Sequence, residues 1–186
     1  MTPSLIELAD ACALVTSFEP GSDGEAAKSK DLVLALLEWS VEPFSRHVYT
    51  PGHITCTGLV FSPDRKHILL VHHGRLDRWL LPGGHVEPED RSLPDAAKRE
   101  VLEETGAILA PASATLAGID VHPIPSNGKE PLHLHHDLIF AWEAAARETQ
   151  CSEESRAVAW CGLDEFDRYQ LPGSITRSAL RVLSNV

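Results

Sequence analysis

Ala96-Ala97-Lys98-Arg99-Glu100-Val101-Leu102-Glu103-Glu104-Thr105-Gly106 is the stretch from which the rest of the chain is best read. Ser92-Leu93-Pro94-Asp95 opens a helix ahead of it, with Ser92 as N-cap and Pro94 in the first turn. The helix runs through Ala96, Ala97, Val101 and Leu102 and stops at Gly106, a C-cap glycine. Glu100, Glu103 and Glu104 then stand at i, i+3 and i+4, so their side chains share one helical face. Three carboxylates so close repel one another, and the adjacent Lys98 and Arg99 do not intersperse that face. A hard divalent cation removes the repulsion and takes the oxygens as ligands, which is how Mg²⁺ or Mn²⁺ is held near phosphates. Taken alone, the trio also reads as a solvated acidic face.

Outward from the helix, the period of the apolar residues changes to two. His53 to Phe61 reads as a strand, Ser62-Pro63-Asp64-Arg65-Lys66 as a turn, and His67 to His73 as a second strand. Trp79-Leu80-Leu81 is a short apolar piece running into Pro82-Gly83-Gly84. Glycines at that point let the backbone come close to a ligand. Three further extended segments are expected at about 114–122, 132–143 and 155–161. Asp164 to Tyr169 then reads as a short helix and Ser174 to Asn185 as a terminal one. With one long helix among the strands, this is not a doubly wound sheet of repeating βα units.

Arg99 to Ala107 and Gly83 to Asp90 resemble the two halves of the Nudix hydrolase signature. That signature is a glycine, five residues, a glutamate, seven residues, then Arg-Glu-apolar-x-Glu-Glu-x-Gly-apolar. The second half is intact. In the first, Asp90 falls where the glutamate is expected counting from Gly84, and eight residues separate it from Arg99, one more than the signature has. Glu89, counted from Gly83, is the other candidate for that place. The resemblance covers about residues 53 to 170. It implies an α+β fold, an α/β/α sandwich on a mixed sheet, and divalent-metal-dependent hydrolysis of a nucleoside diphosphate linked to another group. It also implies Glu100, Glu103 and Glu104 as metal ligands with the Gly83 carbonyl beside them, and Arg99 as the residue that orients the carboxylates. A further acidic residue before the last sheet strand falls on Glu154, with Glu153 close behind. The catalytic set is therefore Arg99, Glu103, Glu104 and Glu154, with Glu103 or Glu104 as general base ahead of Glu154.

His72, His73, His85, His122, His133, His135 and His136 fall in the same region. His133 and His135 share a strand face with Asp137, and His136 points the other way. Three readings stay open: separate hydrogen-bonding residues on sheet edges, contacts to substrate phosphate or base, or a transition-metal site. The substrate-binding candidates are Gly84, His85, His135 and Trp79, the last either stacking on a nucleobase or packing the sheet.

Residues 1–48 read as an N-terminal helical extension to a hydrolase domain over 49–186. Ser4 to Phe18 and Glu25 to Ser40 carry apolar residues at helical spacing, separated by Glu19-Pro20-Gly21-Ser22-Asp23-Gly24 and ended by Pro43. This hairpin is a packing appendage, a dimer contact or a lid. Sixteen Lys and Arg against 27 Asp and Glu give a formal net charge of −11, which repels a phosphate backbone and excludes double-stranded nucleic acid as the expected partner. Cys12, Cys56, Cys151 and Cys161 form no CxxC pair and read as small buried residues of a reducing compartment. With no basic n-region and no long apolar run, neither a leader nor a membrane span is expected, and a cytoplasmic location follows.

Two functions follow from this. One is a Mg²⁺-dependent (or Mn²⁺-dependent) diphosphate hydrolase with a small nucleotide substrate. The other is a nucleotide-sensing module that keeps the fold with little or no catalysis.

Overall fold

The computed structural model describes residues 4–153 and 155–184. Within them the elements run α1 (Leu8–Ser17), α2 (Gly24–Trp39), β1 (Gly52–Phe61), β2 (His67–His73), β3 (Arg78–Leu80), β4 (Gly83–His85), α3 (Leu93–Thr105), β5 (Thr115–Ile124), β6 (His133–Glu143), β7 (Ser155–Gly162), α4 (Phe166–Tyr169) and α5 (Gly173–Ser184). One mixed sheet holds all seven strands, in the order β3-β2-β1-β6-β5, with β4 pairing β1 and β7 pairing β2. The β1–β6 pair is parallel and sits at the centre. The other pairs are antiparallel.

Alternation along the strands divides the apolar residues between two faces. Ile54, Cys56, Leu138, Phe140 and Trp142 pack with Ala11, Val15, Val33 and Leu36 of α1 and α2 and with Ala96 and Ala97 of α3. Leu59, Phe61, Ile139 and Ala141 pack instead with Ile175 and Ala179 of α5. Helices therefore cover both faces of the sheet, the sandwich expected from the sequence.

α3 forms as its sequence dictates. The Ser92 hydroxyl accepts the Asp95 N–H at 3.2 Å, and Gly106 closes the helix at φ 61°, a left-handed conformation that glycine adopts without a Cβ clash. Gly58 of β1 lets α3 lie close to the sheet, since a Cβ there would collide with Val101 Cγ2.

Some expectations need correcting. The first helix begins at Leu8, not Ser4, because the Ser4 hydroxyl accepts the Ile6 N–H at 3.1 Å in a local turn that competes with helix. Gly83 and Gly84 belong to strand β4, where β1 supplies backbone partners that local sequence does not reveal. Cys56 and Cys161 are buried, but Cys151 is exposed and Cys12 half-buried, so the buried reading fits only two of the four. Asn185 lies outside the described residues.

Candidate active site

The register of β4 on β1 sets the geometry. Thr55 lies opposite His85, Cys56 opposite Gly84, and Thr57 opposite Gly83. Gly84 therefore looks toward the α3 face, while Gly83 and His85 look toward the other. On the α3 side the Glu100 carboxylate fills the room a side chain at residue 84 would need, with Oε1 2.6 Å from the position of a Cβ. Glu104 is buried, and its Oε2 accepts the Gly83 N–H at 2.9 Å. Glu103 is exposed beside them.

Arg99 organises this edge. Its Nε and Nη2 donate to the two Asp90 oxygens at 3.1 and 2.9 Å. Nη2 also donates to the His85 carbonyl at 2.8 Å, and Nη1 to Glu100 Oε1 at 2.9 Å and Glu103 Oε2 at 3.0 Å. The expectation of an unbalanced carboxylate face is thereby corrected. Arg99 precedes Glu103 by one helical turn and reaches sideways to Glu100, so both of these carboxylates have a cationic partner. The hydrogen bonds that Arg99 donates to Asp90 raise its pKa, against its partial burial. Burial draws Glu100 above the ordinary carboxylate value, and Arg99 opposes that.

The same geometry decides between Asp90 and Glu89. Asp90 is buried against Arg99 and accepts the Glu87 N–H at 2.8 Å, whereas Glu89 is exposed. The extra loop residue and the shorter side chain occur together. Glu154 lies outside the described residues, and Glu153 occupies an exposed turn.

The carboxylates gathered here are hard oxygen donors of the type Mg²⁺ and Mn²⁺ take. The recess that Gly84 leaves for Glu100 fits such a site.

Trp79 is half-buried on β3, its ring edge-on to His72 at 5.0 Å and to Tyr169 at 5.2 Å. Part of the ring packs against the α5-side cluster, and the rest stays accessible.

The opposite face of β1, β4 and β6 carries a histidine group. His53 lies directly across from His135, and Thr55 across from Asp137. The Thr55 and Thr57 hydroxyls donate to Asp137 Oδ1 at 2.9 and 2.8 Å, and burial raises the Asp137 pKa in spite of them. One ring nitrogen from each of His53, His85 and His135 lies within 4.8 Å of the others. Burial first, then the neighbouring imidazoles, pushes His135 down to about 2. Burial first, then Arg46 and neighbouring histidines, pushes His85 down to about 3. Burial also lowers His53, although its bond to the Val48 carbonyl pulls the other way. His122, bonded at 2.9 Å to Asp120, is raised instead. Sequence reasoning missed His53, because its partner at the centre of the sheet is parallel and distant in sequence. The only signal was a histidine at the head of a strand that otherwise reads as core.

A mixed sheet between helices carries a carboxylate trio held by Arg99 at Glu100 and Glu103 and by the Gly83 N–H at Glu104, a frame that suits phosphoanhydride chemistry. The NUDIX domain family model matches residues 52–181, more than half of the chain, and the chain belongs to the Nudix family of hydrolases, cleaving a diphosphate linkage. It is 30% identical over 123 residues to a probable DHNTP pyrophosphohydrolase of Lactococcus lactis, spanning 65% of this chain and 72% of that one. It is 32% identical over 109 residues to nucleoside triphosphatase NudI of Escherichia coli, spanning 56% and 75%. Among solved structures, a Nudix hydrolase from Nitrosomonas europaea shares the fold at TM-score 0.55 and 24% identity, over 71% of this chain and 88% of that one.

Proposed function

We propose that this hydrolase acts on a nucleoside diphosphate derivative with Mg²⁺, or Mn²⁺ in its place, held by Glu100, Glu103, Glu104 and the Gly83 carbonyl. The observation that carries the reading is the Arg99 fork, which fixes Glu100 and Glu103 from one side while the Gly83 N–H fixes Glu104 from the other. A bound divalent cation neutralises phosphate oxygens and lowers the pKa of an attacking water. The chain's own part is to hold the carboxylates convergent and to accept a proton from that water. Glu103 or Glu104 takes the proton, with Glu154 next in order. Arg99 acts as a positioning residue, since its five donors are directed at protein oxygens. Gly84 gives the backbone close approach, and Trp79 offers an aromatic contact to a base. His85 and His135, which face away from Glu100, have a different chemistry available to them.

The names of the relatives favour triphosphates as the first substrate class to try, with nucleotide sugars and dinucleotides following. Among the described residues no helix is long and apolar enough to cross a membrane. A cytoplasmic enzyme of small nucleotides is the matching setting. Trp39 and Val41 stand exposed at the end of the helical hairpin and support a homodimer, which light scattering on the purified chain tests.

The deciding experiment measures phosphate, diphosphate and nucleotide release from such a panel at millimolar Mg²⁺ or Mn²⁺. Glu104→Gln is the control, and it is expected to lower kcat by roughly a hundredfold or more. Binding of a nucleotide without turnover of any compound would favour the sensing module.

A further inference from the structure

We propose that His53, His85 and His135 form a second metal site, separate from the glutamates and suited to a first-row transition ion such as Zn²⁺. The proposal stands apart from the diphosphate reading and does not need it.

Three strands bring the residues together. His53 sits near the head of β1, His135 is its direct partner on β6, and His85 ends β4 opposite Thr55, two positions along the same face. The three candidate donor nitrogens lie within 4.8 Å of one another. Tetrahedral Zn²⁺ with bonds of about 2.0–2.1 Å sets such nitrogens about 3.4 Å apart. Small ring rotations span the difference.

His53 supplies the independent sign that something belongs there. Its side chain is fully buried, and its Nδ1 lies 2.9 Å from the Val48 carbonyl. A carbonyl only accepts, so Nδ1 carries the proton and Nε2 is left as a lone-pair acceptor. That Nε2 is buried without a hydrogen-bond partner. A buried polar atom in this condition destabilises the fold that holds it. A metal ion would satisfy it. An imidazole whose far nitrogen donates to a backbone carbonyl is also the usual orientation of a metal-binding histidine.

The donor chemistry separates this site from the glutamate edge. Imidazole suits Zn²⁺, Cu²⁺, Ni²⁺ and Co²⁺ and is a poor match for Mg²⁺. The two donor sets also lie on opposite faces, because Gly84 looks toward Glu100 while His85, the next residue, looks toward His53. Three histidines leave a fourth position for water or a ligand oxygen.

The test uses the full chain without a histidine tag, stripped with chelator and titrated with Co²⁺, whose visible d–d bands report tetrahedral nitrogen coordination. One equivalent is expected to bind, to resist millimolar Mg²⁺, and to be displaced by Zn²⁺. His85→Ala and His135→Ala, at half-buried positions, are expected to fold by circular dichroism and to weaken Co²⁺ binding more than about tenfold. Should one of them not fold, the other with His85→Gln or His135→Asn carries the test. Glu104→Gln is expected to bind Co²⁺ as the parent does. Failure to take up one equivalent of Co²⁺ or Zn²⁺ overturns the proposal. So does uptake unaffected by the histidine changes, or uptake lost in Glu104→Gln, which would place the ion at the glutamates. None of these outcomes depends on phosphate release, so they leave the hydrolase reading to its own assay.

Discussion

Arg99 has five N–H donors, and five hydrogen bonds to Asp90, Glu100, Glu103 and the His85 carbonyl account for them. A guanidinium so fully engaged fixes the spacing of the carboxylates around it. Asp90 contributes two of the five bonds and is buried, so Asp90→Ala leaves half of the fork facing a void. We expect that change to cost about 3 kcal/mol, the lower range for breaking a buried pair, because Arg99 itself is partly exposed. Urea denaturation reads the stability, and kcat is expected to fall with it as Glu100 and Glu103 lose their brace. Glu89→Ala, at an exposed loop position, is expected to stay within about 0.5 kcal/mol of the parent. Equal effects of the two changes would dismiss Asp90 as the partner of Arg99. The sequence showed the trio and the arginine but left Asp90 and Glu89 both open. Which carboxylate turns inward depends on the path of a loop one residue longer than the family pattern, and that path is fixed by the Glu87 N–H reaching Asp90.

Two glycines act on the same helix, and their expected effects differ in kind. A methyl at Gly58 meets Val101 Cγ2, a stiff β-branched side chain in a buried cluster, so Gly58→Ala pushes α3 away from the sheet. Overpacking of that sort costs about 1–3 kcal/mol and is expected to lower Tm by roughly 3–10 °C in calorimetry. A methyl at Gly84 meets the Glu100 carboxylate, the far end of a flexible side chain that can swing aside. Gly84→Ala is therefore expected to change Tm by less than about 3 °C while displacing a proposed metal ligand and cutting kcat severely. Loss of stability with full turnover in Gly84→Ala would contradict the assignment of Glu100. Most elements were legible because their signals are local: Ser92 and Gly106 bracket α3, and alternation marks β1, β2 and β6. β4 was not legible as a strand. Its three residues have no period of their own, and the partners that make it a strand lie on β1, more than twenty positions upstream. The histidine face was hidden for the same reason, since only the parallel β1–β6 register places His53 beside His135.

At the scale of the whole molecule, α1 and α2 share an apolar cluster with β1, β6 and α3, and polar contacts join them to the C-terminal helix. Helical spacing in the sequence foretold the hairpin. It could not tell which surface the hairpin covers, because an apolar stripe does not name its partner. Asp23 is where the two ends of the chain meet. Its Oδ1 caps α2 by accepting the Ala26 N–H at 3.1 Å, and its Oδ2 accepts from Arg177 at 3.1 Å and Arg181 at 3.0 Å on α5. Arg181 also donates to the Ala117 carbonyl of β5 at 2.7 Å and lies over the Phe18 ring. Burial raises the Asp23 pKa, but the Ala26 N–H and the two guanidiniums outweigh it and hold the group below its ordinary 3.8. A depressed folded-state value means that the charged form stabilises the fold. That stabilisation is complete above the unfolded value near 3.8 and is lost as the pH falls through the lower folded value. Asp23→Asn keeps a capping oxygen and removes only the charge, so at pH 7 it is expected to cost about 1–2 kcal/mol, the range of a partly exposed charge-assisted bond. The gap should start to narrow at about pH 4 and close as the pH falls through the folded value, since protonated Asp and Asn offer Arg177 and Arg181 much the same neutral acceptor. Urea midpoints measured from pH 7 down to pH 3 read this directly. Curves that stay parallel into acid would show that the charge of Asp23 does not hold α2 against α5.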